Sequence, residues 1–411
     1  MSAPTHFAAS PVVILGSTGS IGTQALEVIR SHPGRFDVHA LAAGGGRIEL
    51  LARQVLEFGP QLVALASLGA QELIDVLKTL DPKAKIPEIL EGEEGVTQAA
   101  SLVPSGVVLN GITGGVGLAP TLAALQSGAT LALANKESLV VGGHLVRSAC
   151  VRPGQIVPVD SEHSAIAQAL ASGVHEKGLT SPLLTGKSEV ADLVLTASGG
   201  PFRGRTRQEL RDVTPAQAFS HPTWDMGPVV TINSSTLVNK GLELIEAHLL
   251  FDVAPEHVLT VVHPQSIVHS MVTWIDGATT LQASPPDMRL PIALGLSWPE
   301  RLEKVEEPLT WSKPQSWTFE AIDETTFPAV SLARSAVAAS ATHPAVFNAA
   351  NEVLVDAFIS GRLPWLGIVD VLRDVVGAHE GIADPLLEDI IGAQEWARAR
   401  AEEAVAQEGW K

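Results

Sequence analysis

Tyrosine is absent from the 411 residues, and cysteine occurs once, at Cys150. The first absence removes every mechanism that depends on a tyrosine general acid. The second excludes an intramolecular disulfide and any multi-cysteine zinc or iron–sulfur centre, and it fits a cytoplasmic location. No apolar run is long enough to span a bilayer, so no membrane association is expected. Residues 1–10 lack a basic stretch followed by an apolar one, so a secretory signal is not expected either. Positive charge is scarce. Against 45 Asp and Glu stand 27 Lys and Arg, for a net charge of −18, which argues against nucleic acid as a partner. A local cluster of donors can still bind a small anion. Hydrophobic residues make up 45% of the chain, enough for a folded protein of two or three domains.

The N-terminal third carries a nucleotide signature. Val12-Val13-Ile14-Leu15 reads as a buried strand, Gly16-Ser17-Thr18-Gly19-Ser20-Ile21-Gly22 as a turn, and residues 23–31 as an amphipathic helix. Glycines let a backbone approach a pyrophosphate, and a helix N-terminus supplies N–H donors and the positive end of a dipole. Further apolar runs at residues 38–43, 62–66, 107–109, 130–134 and 155–159 alternate with helix-like stretches. That alternation predicts a doubly wound parallel sheet. After the second strand comes Gly44-Gly45-Gly46-Arg47, with no acid to hold the ribose hydroxyls of NAD. Gly44 and Arg47 are therefore candidate contacts to NADPH, with the guanidinium suited to a 2′-phosphate. Asn135-Lys136-Glu137-Ser138 follows the run at 130–134, where an open sheet presents its ligand-binding loops.

Asp160-Ser161-Glu162-His163 ends the run at 155–159. Residues two apart in an extended chain face one side, so Asp160 and Glu162 are expected to aim two carboxylates at one point. Two such groups repel unless a cation lies between them. Downstream, Ser234, Ser235 and Thr236 read as helix N-cap candidates ahead of Asn239-Lys240-Gly241-Leu242-Glu243. Asn239 and Glu243, four apart, share a helix face. Glu243 is a candidate third carboxylate, and an all-oxygen set suits Mg²⁺ or Mn²⁺. Ser198-Gly199-Gly200 offers a hydroxyl and N–H groups to an anion. The long polar segment 203–227, with His221, Trp224 and Gly227, has the composition of a lid. His263 and His269, six apart in a strand-like segment, are of a type that can ligate a metal, but with the oxygen set already accounting for one they read as structural or dimer-face histidines.

These blocks, with Asp287-Met288-Arg289, come in the order found in 1-deoxy-D-xylulose 5-phosphate reductoisomerases, and the chain resembles that family over nearly its whole length. The resemblance implies rearrangement and reduction of a small phosphorylated sugar, 1-deoxy-D-xylulose 5-phosphate, to 2-C-methyl-D-erythritol 4-phosphate, with NADPH and Mg²⁺ or Mn²⁺, in a homodimer. It implies Asp160, Glu162 and Glu243 as metal ligands. Ser198, Ser234, Asn239 and Lys240 would hold the phosphate and adjoining hydroxyls. Ser161 and Lys136 would touch the sugar oxygens, and His221 and Trp224 would belong to a closing flap. Thr18, Gly19, Ser20 and Ile21 would cradle the cofactor phosphates. Asn135 and Glu137 would hold the ribose side, Gly227 would line the cofactor, and Met288 would pack near the nicotinamide. The expected α/β architecture is a Rossmann-like parallel-sheet cofactor domain (residues 1–159), an α+β catalytic domain (160–298), a linker (299–324) and a C-terminal helical domain (325–411). An aldehyde dehydrogenase of the aspartate-semialdehyde type shares the first glycine pattern, but it needs a reactive cysteine. Cys150 reads as a packed residue.

Overall fold

A computed structural model describes residues 9–220 and 227–407, and these fall into two compact units. The first unit comprises the residues up to Asn135, Ser148–Asp160 and Asp287–Glu307. Its strands and helices alternate: β1 (Ser10–Leu15), α1 (Ser20–Ser31), β2 (Phe36–Ala43), α2 (Ile48–Phe58), β3 (Leu62–Leu65), α3 (Ala70–Leu80), β4 (Glu88–Glu91), α4 (Gly92–Ala100), β5 (Val107–Asn110), α5 (Leu118–Ser127), β6 (Thr130–Leu133), α6 (Lys136–Ala149) and β7 (Ile156–Pro158). Residues 136–147 of α6 belong to the second unit. The sheet is parallel, with strand order β4-β3-β2-β1-β5-β6-β7. Order reverses at β1, where a doubly wound sheet opens its ligand crevice.

The apolar runs become central strands because helices cover both faces of a parallel sheet. Val12, Val13, Ile14 and Leu15 are all fully buried. β4 was not expected from the sequence. Its Glu-Ile-Leu-Glu lies at the sheet edge, where charges discourage further pairing and mask the apolar signal.

The second unit comprises Lys136–Arg147, Ser161–Pro286 and the residues from Pro308 on. It contains α7 (Ser161–Leu170), β8 (Val190–Ala197), α8 (Pro215–Ala218), α9 (Pro228–Thr236), α10 (Val238–Phe251), β9 (Val258–Val262), β10 (Val268–Trp274) and β11 (Thr279–Ala283). The chain then returns to the first unit as α11 (Arg289–Ser297), which packs on α1. The second unit resumes with β12 (Glu320–Ala321), α12 (Ala329–Ala339), α13 (His343–Ile359), α14 (Trp365–Gly377) and α15 (Leu387–Gln407). Its sheet has the order β11-β10-β8-β9-β12, with only β8 and β9 parallel. The fold is thus mixed α/β, with a seven-stranded parallel sheet, a second sheet and a C-terminal helical region among the described residues.

One junction matters for the site. Leu237, buried, adopts φ 60° and ψ 13° between α9 and α10. A left-handed non-glycine residue costs on the order of 1–2 kcal/mol. It breaks the helix and lets α10 restart in a new direction. α10 then lies close on α12, because a Cβ at Gly241 would stand 2.9 Å from the Ala333 Cβ.

Candidate active site

In the first unit the glycine turn links β1 to α1. Gly16 has φ +80°, and a Cβ there would stand 2.8 Å from the Gly111 carbonyl oxygen, so only glycine fits. The expected helix starts earlier than its apolar pattern, at Ser20, which places Gly22 inside it. A Cβ on Gly22 would come within 2.3 Å of the Gly16 oxygen, so the bare Cα is what lets α1 seat on the turn. Gly19 is the N-cap and supplies no side-chain cap. The first-turn N–H groups of a helix have no acceptor within the helix, which suits them to an anion. Two side chains pin the turn from the α2 side. Arg47 Nη1 donates to the Thr18 carbonyl at 2.7 Å, and the buried Gln54 donates through Nε2 to the Ser17 carbonyl at 2.8 Å. Gln54 carries no sequence signal of this role. Ser67 donates to the Gly44 carbonyl at 2.9 Å and so ties β3 to the Gly44–Arg47 turn. Asn135 donates to the Gly114 carbonyl at 3.0 Å, and Ile21 and Met288 both pack on the core of this unit.

The second unit gathers the charged residues. Glu243 on α10 accepts from Lys136 Nζ at 3.0 Å, from Asn239 Nδ2 and from Lys240 Nζ. Lys136 also donates to Asn239 Oδ1 at 3.0 Å, and Lys240 to Glu162 Oε1 at 2.6 Å. Lys136, Lys240 and Glu243 are all buried. Burial alone would push the Lys240 ammonium down. The charges of Glu162 and Glu243, with hydrogen bonds to both, outweigh it and hold the group above the ordinary lysine range. Ser161 donates to Glu162. His163 bonds the Glu243 carbonyl through Nε2 at 2.8 Å and faces Glu246 through Nδ1 at 3.1 Å, which ties α7 to α10.

Asp160 precedes α7 by one peptide bond, so the chain itself keeps it beside Glu162. Asp160, Glu162 and Glu243 each offer an oxygen, and these lie within 4.8 Å of one another. The expected reason for the pairing needs correction. Glu162 is not in extended chain two residues beyond a strand; it lies in the first turn of α7, which begins at Ser161. A carboxylate is favoured there by the positive end of the helix dipole. Ser234, Ser235 and Thr236 also differ from expectation. They end α9 instead of capping α10, and Leu237 forms the junction. Ser198 follows β8, and its Oγ accepts from the Gly200 N–H at 3.2 Å. A Cβ at Gly200 would stand 2.8 Å from the Ser234 carbonyl oxygen, so the Ser198 turn abuts the backbone of α9.

Three family models cover most of the chain. One described as 1-deoxy-D-xylulose 5-phosphate reductoisomerase matches residues 12–143, and two described as its C-terminal domains match 156–251 and 283–400. A reductoisomerase of that name from Arthrobacter sp. (strain FB24) is 55% identical over 96% of this chain and 98% of its own length. The one from Pseudarthrobacter chlorophenolicus is 56% identical over the same shares. The chain belongs to the 1-deoxy-D-xylulose 5-phosphate reductoisomerase family.

Solved reductoisomerases agree in fold. The Zymomonas mobilis enzyme, in complex with NADPH, has a TM-score of 0.85 at 35% identity, covering 97% of this chain and 100% of that one. A second, in complex with NADPH, fosmidomycin and magnesium, has a TM-score of 0.85 at 33% identity, covering 97% and 98%. Against this reductoisomerase background, the remaining expected residues are placed as follows. Lys136 and Glu137 lie in the first turn of α6, not in a loop. Gly227 is the N-cap of α9. The described part of segment 203–227 consists of turns, loop and the short α8, whereas His221 and Trp224 lie outside the described residues. His263 accepts the Ile267 N–H on Nε2 and stacks on Phe319 at 4.6 Å, which is a packing role.

Proposed function

We propose that this reductoisomerase converts 1-deoxy-D-xylulose 5-phosphate and NADPH to 2-C-methyl-D-erythritol 4-phosphate, with a divalent cation held by Asp160, Glu162 and Glu243. The supporting observation is the cluster of three carboxylate oxygens within 4.8 Å, set against two buried lysines. Three carboxylates and two ammoniums leave one negative charge in excess. A divalent cation turns that into one positive charge, which favours a dianionic sugar phosphate. All-oxygen donors fit Mg²⁺ or Mn²⁺. When bound, the cation supplies Lewis-acid polarisation of the substrate oxygens.

The chain's own residues do the rest. Ser198, Ser234, Asn239 and Lys240 bind the phosphate and adjoining hydroxyls. This anchoring is remote from the reacting carbons, so its binding energy can orient them. Lys136 and Ser161 contact the sugar oxygens, and His221 and Trp224 help exclude water. Thr18, Gly19, Ser20 and Ile21 cradle the NADPH phosphates at the start of α1. Asn135 and Glu137 hold the ribose side, Arg47 the 2′-phosphate, Gly44 and Gly227 line the cofactor, and Met288 packs near the nicotinamide. The reading includes a cytoplasmic homodimer. Edge strand β11 exposes Leu281, and nearby Ile275 is 71% exposed, as an interface would require. Among the described residues no helix is long and apolar enough to cross a membrane.

The purified chain should oxidise NADPH only when the sugar phosphate and Mg²⁺ or Mn²⁺ are both supplied. Absence of turnover under those conditions overturns the assignment. Arg47 is exposed and anchored to the Thr18 carbonyl, within the cofactor turn. A charge-assisted bond to the 2′-phosphate is worth about 1.5–3 kcal/mol, or roughly 10- to 150-fold. Arg47→Ala should reduce the ratio of the kcat/KM values for NADPH and NADH by that order. An unchanged ratio would move the 2′-phosphate contact elsewhere.

A further inference from the structure

Two buried hydrogen bonds reach from the C-terminal helices to the residues on either side of Ser234. Asn351 on α13 donates through Nδ2 to Asn233 Oδ1 at 2.9 Å. Trp365 at the start of α14 donates through Nε1 to Ser235 Oγ at 2.9 Å. All four side chains are at most 5% exposed, whereas Ser234 between them is only half-buried. Successive residues of a helix are about 100° apart around its axis. Asn233 and Ser235 therefore point to the two flanks of one face, and Ser234 points opposite their bisector. With both flanks held, the rotation of α9 is set, and with it the direction of the Ser234 hydroxyl.

Trp365 holds a second segment as well. Its ring meets Phe202 edge-on at 5.3 Å, and Phe202 is the buried residue that ends the Ser198-Gly199-Gly200-Pro201 turn. That turn abuts the Ser234 carbonyl through Gly200. One indole thus touches both segments that carry phosphate-binding serines. A purely space-filling role would not need an amide at position 351. Among the described residues, Asn351 Oδ1 is buried with no hydrogen-bond partner, a cost that leucine would avoid.

We propose that Asn351 and Trp365 are positioning residues for the substrate phosphate, acting through Asn233 and Ser235 to aim Ser234 and seat the Ser198 turn. The proposal rests on the reading of Ser234 as a phosphate ligand.

The test is a set of double-mutant cycles, read in the KM for the sugar phosphate, kcat, the NADPH Kd and the Tm. Asn351→Leu removes one donor at similar volume, and Ser235→Ala removes the acceptor of Trp365 with little change in packing. Each should raise KM about fivefold to tenfold, a typical value for losing one such bond, with smaller changes in kcat and none in NADPH affinity. Ser234→Ala should raise KM by itself. In that background neither change should raise KM further, because the group it aims is gone. If Ser234→Ala leaves KM unchanged, the phosphate reading fails and the clamp with it. If Ser234→Ala raises KM but the other two variants do not, or add to it in full, the clamp alone is overturned. Should Asn351→Leu fold poorly, Ser235→Ala decides the matter.

Discussion

Glu243→Gln is expected to lower turnover by at least about 100-fold, and chelation of the wild-type protein with EDTA to do the same until Mg²⁺ or Mn²⁺ is restored. Glu243 is 1% exposed and accepts from Lys136, Lys240 and Asn239. Glutamine conserves volume but replaces one accepting oxygen with an amino group facing donors. Two buried ammoniums then share the charge of Glu162 and Asp160 alone. Removing one partner of a buried pair typically costs about 3–5 kcal/mol, so the Tm should fall as well. The two losses can be separated. Excess cation should restore part of the turnover if lost metal affinity dominates, and none if lysine repulsion has displaced α10. Wild-type turnover in Glu243→Gln, or full turnover after chelation, would refute the metal assignment.

Gly22→Ala should weaken NADPH binding by roughly 5- to 150-fold, the equivalent of about 1–3 kcal/mol of overpacking. Its Cβ would stand 2.3 Å from the Gly16 oxygen and 2.5 Å from the Ser17 Cα, and both are backbone atoms with no rotamer to yield. The helix must slide away from β1, and its first-turn N–H groups go with it. Because Gly22 lies in the first unit while Glu162 and Glu243 lie in the second, and Asp160 ends the first unit's segment Ser148–Asp160, far from the turn in sequence, affinity for the divalent cation should stay the same. Calorimetric titration with NADPH, and with Mn²⁺ in parallel, reads both. Unaltered NADPH affinity would show that the turn does not carry the pyrophosphate.

What could be read from the chain alone followed local rules. The glycine turn between an apolar strand and an amphipathic helix was legible because φ +80° at Gly16 and the tight seating at Gly22 both demand glycine. The i, i+4 pairing of Asn239 with Glu243 was legible because helix geometry alone brings them together. Local reading misled where neighbours in space competed with local pattern. A serine-rich stretch resembles an N-cap, yet Ser234–Thr236 continue α9 because α13 and α14 bury its other face. β4, with charges at both ends, shows too little apolar pattern to be seen, yet it pairs along β3.

The sequence by itself determined the parallel-sheet unit, the glycine turn between β1 and α1 and the chemical types gathered near Glu243, since each rests on residue identity and short-range spacing. Tertiary structure alone decided the rest. It set Lys136 against Glu243, 107 residues apart, and joined α7 to α10 through His163. It also placed Asn351 and Trp365, 118 and 130 residues from their partners, behind the helix of Ser234. No periodicity encodes such pairings, because they arise only when separate helices pack and buried polar groups must find partners within the fold.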